Sequence, residues 1–234
     1  MIIISLIPVL LLALFVYSND SAKEPKSLLV ELFISGFLAA GIVIVISICL
    51  SMIIPNFFIT DNYQGYSFYK LFSVIFIEIS FVEEFSKWLM IRILGYDSKY
   101  FDQLYDIIVY SVFVALGFAL IENIFYLIPS SLSLGLYRAI FSIPAHACFG
   151  VFMGALLGLA KTYEEQDKKL SRIYMFYAVL VPTLLHTVYN FCLLADNKFF
   201  ILFVVFIIIL YISSAIIIKK ISNDNKSVEY IEKL

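Results

Sequence analysis

Residues 78–92 read Glu78-Ile-Ser-Phe-Val-Glu83-Glu84-Phe-Ser-Lys87-Trp-Leu-Met-Ile-Arg92. The run is otherwise apolar enough to cross a bilayer, where each charged side chain costs on the order of 2.5 to 3.5 kcal/mol at mid-helix. On a helix Glu83 and Lys87 stand one turn apart and can pair, while Glu84 points about 100° further round. One carboxylate is thus neutralised locally and another is left over. An ionisable group inside a membrane is a functional-site hypothesis by default.

The whole chain supports a membrane reading. It has 234 residues, 62% hydrophobic and 15% charged, with a net charge of -2 and a mean hydropathy of +0.98. Soluble chains are typically about 45 to 50% apolar and roughly 25% charged. Nucleic acid is excluded as a partner, because no clustered basic face exists to neutralise phosphates. Cys49, Cys148 and Cys192 all lie in apolar runs without metal-type spacing, so they are read as packing residues rather than as a disulfide framework or zinc knuckle.

Outward from the glutamate pair, the hydrophobic pattern predicts an all-α, polytopic membrane helix bundle of about seven transmembrane helices. The first is residues 2–17, short for a span and lacking the basic start and cleavage site of a signal peptide. A polar linker, 18–26, leads to a second span over 28–54, stopped by Pro55; Asp61, Asn62 and Gly65 mark the next loop as turns. The third span is 68–94, with Gly95 as its C-cap. The fourth is 104–128, carrying Asp106 near its start and Glu122-Asn123 near its end, and stopped by Pro129. The fifth, 134–160, holds His146. The sixth, 173–194, holds His186 and Asn190, and a turn at Asp196-Asn197-Lys198 leads to the seventh, 199–218. The expected division is a transmembrane domain over 1–218 and a polar tail over 219–234.

Lys23, Lys26, Arg92, Lys99, Lys161, Lys168, Lys169, Arg172, Lys219, Lys220, Lys226 and Lys233 fall on one side of this arrangement, against Lys70, Arg138 and Lys198 on the other. The positive-inside rule then puts the N-terminus outside and the C-terminus in the cytoplasm.

Once the loops are removed, the spans retain Glu78, Glu83, Glu84, Lys87, Glu122, Asn123, His146, His186 and Asn190. Buried polar groups need partners, and four consecutive spans can point theirs into one cavity. His146 and His186 are the only histidines. A lone membrane histidine more often bonds helix to helix, but these two coincide with carboxylates. A carboxylate in a low-dielectric site is a competent general base for water near neutral pH, and histidine and asparagine can stabilise the oxyanion formed when that water attacks a carbonyl. Alternatively, Glu and His ligands hold zinc, which activates bound water itself.

Four motifs in order, Glu83-Glu84-x-x-Lys87, Gly117-Phe118-Ala-Leu-Ile-Glu122-Asn123, Pro144-Ala-His146 with Gly150, and His186-x-x-x-Asn190, resemble those of the PrsW family of intramembrane proteases. That family belongs to a wider group that includes the type II CAAX prenyl endopeptidases. The likeness also touches Glu24-Pro25 and the approach from Asp102 to Asp106, which adds Asp106 as a supporting residue. It implies a multi-pass protease of the cell membrane that cleaves a single-span membrane protein, with bacterial anti-sigma factors as the best-known substrates of the PrsW branch. Carried over, Glu83 activates water with Glu84 supporting it. His146, His186 and Asn190 position water or stabilise the oxyanion, and Lys87 balances the carboxylates with Asn123 beside them. The CAAX-type branch has histidine where this chain has Glu122, which argues against prenyl-protein processing and leaves Glu122 open as base, orienter or metal ligand.

The expectation is therefore an intramembrane endopeptidase. A metal-independent glutamate mechanism is favoured, since no His-Glu-x-x-His spacing occurs; with zinc, the ligands would come from Glu83, Glu84, Glu122, His146 and His186. The alternative is a non-enzymatic membrane protein, an ion or proton pathway or an immunity or scaffold protein, that uses the same groups as interhelical glue. The broken helices and inverted halves of transporters are not evident in the sequence.

Overall fold

The computed structural model describes residues 2–53, 66–127, 132–195 and 199–224. Among them there is no β-strand; the elements are α1 (Ile2–Ser18), α2 (Lys26–Ile53), α3 (Phe68–Val74), a π-helical segment (Ile75–Phe81), α4 (Val82–Leu94), α5 (Asp106–Leu127), α6 (Leu132–Ile140), α7 (Ser142–Thr162), α8 (Lys168–Leu194) and α9 (Phe200–Asp224). A chain in hydrocarbon must satisfy every backbone N–H and C=O within itself, which leaves helices as the economical solution for this composition.

Five stretches are long and apolar enough to cross a membrane: Lys26–Ile53, Asp106–Tyr126, Leu132–Thr162, Lys168–Leu194 and Phe200–Asn223. Two further expected spans differ from these for identifiable reasons. Helix α1 is apolar throughout but only 17 residues long. The third is helical over 68–94 yet interrupted by the π segment, and it carries Lys70, Glu78, Glu83, Glu84, Lys87 and Arg92. The expected stops and turns at Pro55, Asp61-Asn62-Gly65, Pro129 and Asp196-Asn197-Lys198, and the end of the tail, lie outside the described residues. The last helix continues beyond 218 to Asp224.

Helix α5 is the hub, packing against α2, α7 and α1. Small residues permit this. A Cβ on Gly117 would lie 1.9 Å from the Phe33 carbonyl oxygen, and one on Gly36 would lie 2.3 Å from that of Val114, so α2 and α5 meet backbone to backbone. On the other face of α5, a Cβ on Gly154 would lie 2.6 Å from Ile108 Cα, which seats α7 equally closely. Gly95 does follow α4, but in right-handed backbone. Its lack of a side chain serves space, because a Cβ there would come within 2.9 Å of the Tyr110 ring.

Exposed leucine, isoleucine and phenylalanine side chains line the outside of α1, α2 and α9, the inverse of a soluble bundle. Cys148 and Cys192 are buried as expected of packing residues, Cys49 is exposed, and all three are free thiols. Because α4, α5, α7 and α8 surround a common interior, the polar residues each would otherwise strand in lipid can meet there.

Candidate active site

The interior holds a continuous polar chain that crosses six helices. Ser5 on α1 accepts a short hydrogen bond from the Asn123 amide on α5. Asn123 in turn accepts from Arg138 Nε on α6 at 2.7 Å. Arg138 Nη2 lies 3.0 Å from Glu122 Oε2, and the same oxygen lies 3.0 Å from His146 Nε2 on α7. His146 Nδ1 is 3.0 Å from Lys87 Nζ on α4, Lys87 donates to Glu84 Oε1 at 2.7 Å, and Glu84 Oε1 lies 3.0 Å from His186 Nδ1 on α8. Positive and negative groups alternate along the chain, which is how buried charges become tolerable.

These partners assign the ring protons. An ammonium can only donate, so His146 Nδ1 accepts from Lys87 and its Nε2–H donates to Glu122. Both nitrogens of His146 are thereby engaged. His186 donates Nδ1–H to Glu84, and in the neutral ring this leaves the lone pair on Nε2. The two imidazole centroids are 5.1 Å apart and nearly perpendicular, and His186 is stacked on Phe149 at 5.0 Å. Lys87, 1% exposed at its side chain, also lies 4.1 Å from the centre of the Phe118 ring, a cation–π contact in a desolvated setting.

The two adjacent glutamates have different places. The local pair expected between Glu83 and Lys87 is the weaker of two: Lys87 Nζ is 3.7 Å from Glu83 Oε2 but hydrogen-bonded to Glu84. Helical geometry permits either spacing, i,i+3 or i,i+4, and the contacts that Glu84 and Lys87 make to His186 and His146 select the first. Glu83 Oε2 is buried without a hydrogen-bond partner among the described residues, 4.0 Å from His186 Nδ1.

Glu83, Glu122, His146, His186 and Asn190 line one cavity of about 450 Å³, closed on its remaining sides by Tyr126, Tyr137, Arg138, Ser142 and Tyr189 and by leucines of α6 and α8. Glu84 and Lys87 lie behind this wall. Asn123 is turned to Ser5 and Arg138. Asp106 is elsewhere: it starts α5, sixteen residues before Glu122 and so about 24 Å away along the axis, and its Oδ2 accepts the backbone N–H of Asp102 and of Gln103. Arg138, counted in the sequence among the basic residues of the outer side, is a cavity residue stacked over Tyr126 at 4.1 Å. Its signal was faint, a single arginine beside an apolar run, and Tyr189 carried none.

The π-helical segment directly before α4 was also unforeseen. Such turns widen the helix by one residue and occur frequently at functional sites; here it sets the rotation at which Glu83 and Glu84 enter α4.

Glu83, Glu84, His146 and His186 each offer one ligand atom within 4.8 Å of the others. Two carboxylates and two imidazoles are donor types that suit zinc. The arrangement does not fit a cation as it stands, because the Lys87 ammonium is already bonded to Glu84 Oε1 and His146 Nδ1.

Comparison with known proteins decides the family. Residues 24–216 match the family described as PrsW family intramembrane metalloprotease. The chain belongs to the PrsW family. Relatives named Protease PrsW include that of Clostridioides difficile, 35% identical with 97% of this chain and 93% of that protein covered, and that of Oceanobacillus iheyensis, 34% identical with 93% and 94% covered. The Protease PrsW of Bacillus subtilis is 34% identical over 86% of this chain and 85% of its own length. No solved structure matches. As a PrsW family member the chain is a peptidase and a multi-pass membrane protein, and it supplies a buried Glu/His group in keeping with the family description.

Proposed function

We propose that this PrsW family peptidase hydrolyses a peptide bond of a single-span membrane protein, of the anti-sigma-factor kind, by water that Glu83 activates. The supporting observation is that Glu83 lines the cavity with an oxygen that accepts no hydrogen bond among the described residues. Glu84, whose Oε2 is likewise unpartnered among them, is not among the residues lining the cavity and has its Oε1 held by Lys87 and His186, and Glu122 is held by Arg138 and His146.

In this reading Glu83 takes a proton from water as the water oxygen bonds to the scissile carbonyl carbon. His186 Nε2, through its lone pair, accepts the water's other hydrogen and orients the nucleophile. The Asn190 side-chain amide, on the same wall one helical turn on, donates to the tetrahedral oxyanion. Collapse breaks the C–N bond, and the proton held by Glu83 passes to the leaving amine. Glu84 holds His186 in its tautomer. Glu122, balanced by Arg138, holds His146, and His146 with Lys87 supports the Glu84 side.

The topology proposed with it has seven spans, α1 and the α3–π–α4 run being added to the five long apolar stretches, with the N-terminus outside and the C-terminus cytoplasmic. Residues 1–218 form the protease domain and 219–234 a polar tail rooted on the end of α9. Glu122, near the outer end of α5, then opens the cavity outward, suited to a first cut close to that face.

A second reading follows from the shared donor set and requires Lys87 to release Glu84 Oε1 and His146 Nδ1: Glu83, Glu84, His146 and His186 would then hold zinc, which would supply a Lewis acid. The experiment is cleavage of a purified single-span anti-sigma-type reporter by the wild type and by Glu83→Gln, each with and without chelator. Cleavage by the wild type alone, unaffected by chelator, is expected. Loss on chelation restored by zinc would establish the second reading, and full activity of a folded Glu83→Gln variant would remove Glu83 as the base.

A further inference from the structure

Tyr189 is a cavity residue whose chemistry the reaction above does not use. It stands on α8, three residues after His186 and one before Asn190, and lines the same cavity as Glu83. Its ring is held edge-on by Phe203 at 5.5 Å and by Phe149 at 6.3 Å, so the hydroxyl is presented rigidly. Tyr189 is 4% exposed, and that hydroxyl is buried without a hydrogen-bond partner among the described residues. Tyr137, Arg138 and Glu122 line the same cavity.

A phenylalanine would pack as well and would strand no polar atom, so the oxygen does nothing for folding and acts against it. A donor retained at such a cost, inside a substrate cavity, is suited to an acceptor that arrives with the ligand. The charges nearby select the kind of acceptor. Arg138 is balanced by Glu122 at 3.0 Å, and Glu83 adds a further carboxylate to the cavity, so an anionic group is disfavoured. A neutral carbonyl is accommodated. A membrane-spanning substrate must unwind to expose its scissile bond, and each carbonyl freed from its helix in a water-poor site requires a donor.

We propose that the Tyr189 hydroxyl, in the cavity that the Arg138–Glu122 pair also lines, is a subsite that hydrogen-bonds a main-chain carbonyl of the unwound substrate next to the scissile bond. The inference rests on the protease reading. Tyr189 is a substrate-binding residue, separate from the oxyanion donor Asn190 and from the base.

The test uses the full-length protein in detergent and a single-span reporter. Tyr189→Phe is expected to lower kcat/KM five- to tenfold through KM, with the thermal midpoint equal to or above that of the wild type. The penalty is the same whether the residues flanking the scissile bond are acidic or apolar. Uncleaved reporter should bind Glu83→Gln/Tyr189→Phe more weakly than Glu83→Gln by the same factor. An unchanged KM and unchanged binding overturn the subsite while leaving Glu83 chemistry intact, and a penalty confined to one flanking side chain overturns the main-chain assignment. A lowered midpoint with loss confined to kcat shows a structural tyrosine instead. Cleavage by Glu83→Gln, or absence of any reporter binding to it, overturns the protease reading first and the subsite with it.

Discussion

Lys87 Nζ lies 2.7 Å from Glu84 Oε1 and 3.7 Å from Glu83 Oε2, so two neighbouring glutamates share one cation unequally. That asymmetry separates their expected phenotypes. Glu83→Gln should lower kcat by about 10²- to 10⁴-fold, the range for a lost general base, and leave the thermal midpoint close to that of the wild type. Glu84→Gln removes the counter-charge of a fully buried ammonium, which costs about 3 to 5 kcal/mol. Its midpoint should fall by on the order of 10 °C. Thermal unfolding and reporter cleavage on the same preparations check both, and a stable, inactive Glu84→Gln would reverse the assignment.

Arg138 binds Glu122 and Asn123 at once, through Nη2 and Nε, a planar fork that lysine cannot reproduce. Arg138→Lys should therefore lose activity about tenfold. Arg138→Ala leaves Glu122 unbalanced, and adding Glu122→Gln should recover part of its stability. A double-mutant cycle on thermal stability is expected to give a coupling of about 1 to 3 kcal/mol. Additive effects would show that the pair is not coupled.

Packing makes a sharp contrast between two glycines. Gly117→Ala drives a methyl group into the Phe33 carbonyl, whereas a Cβ on Gly41 meets nothing within 4 Å. The first should destabilise by about 1 to 3 kcal/mol as α2 and α5 separate. The second, in an exposed helical position, should be neutral or slightly stabilising. Equal midpoints for the two variants would argue against the close α2–α5 crossing.

Glu24, in the linker between α1 and α2, is 6% exposed. Burial, with Asp20 and Asp102 adding their repulsion, pushes its carboxyl from 4.5 up to about 7, and the contacts with Tyr110 and Asp106 offset only part of this. Between these two values the unfolded chain has released the proton while the folded protein retains it. Its contribution to stability should thus fall as pH rises from about 4.5 to 7. Glu24→Gln removes this share of the slope and should have the higher midpoint at pH 7.5. Scans of thermal midpoint between pH 4.5 and 8 for both proteins decide it, parallel curves being the adverse result. Tyr105 donates to the Val16 carbonyl at 3.0 Å and Ser21 to Gln103 at 3.2 Å, so the linker docked on the start of α5 is the element that should loosen first.

Composition and apolar runs made the helical, membrane-embedded class legible, because hydrocarbon admits few backbone solutions. The polar residues of the site were legible for the same reason: Glu83, Glu84, Lys87, Glu122, His146 and His186 are conspicuous where charge is expensive. Their ordered spacing sufficed to suggest the family to which the chain belongs. The resemblance also drew in Asp106, which holds the backbone N–H groups of Asp102 and Gln103 at the far end of α5.

Which of these groups faces the cavity was decided only by tertiary structure. Sequence spacing allows Lys87 to reach either glutamate; the choice of Glu84 depends on His146 arriving from α7 and His186 from α8. Arg138 became a cavity residue only when α6 folded it back onto Glu122. The π-helical turn before α4 has no periodic signature that distinguishes it from ordinary helix over seven residues. Polarity is a property of one residue and can be read in isolation, whereas a partner, a tautomer or an unspent hydroxyl is a relation between helices that exists only once they are packed.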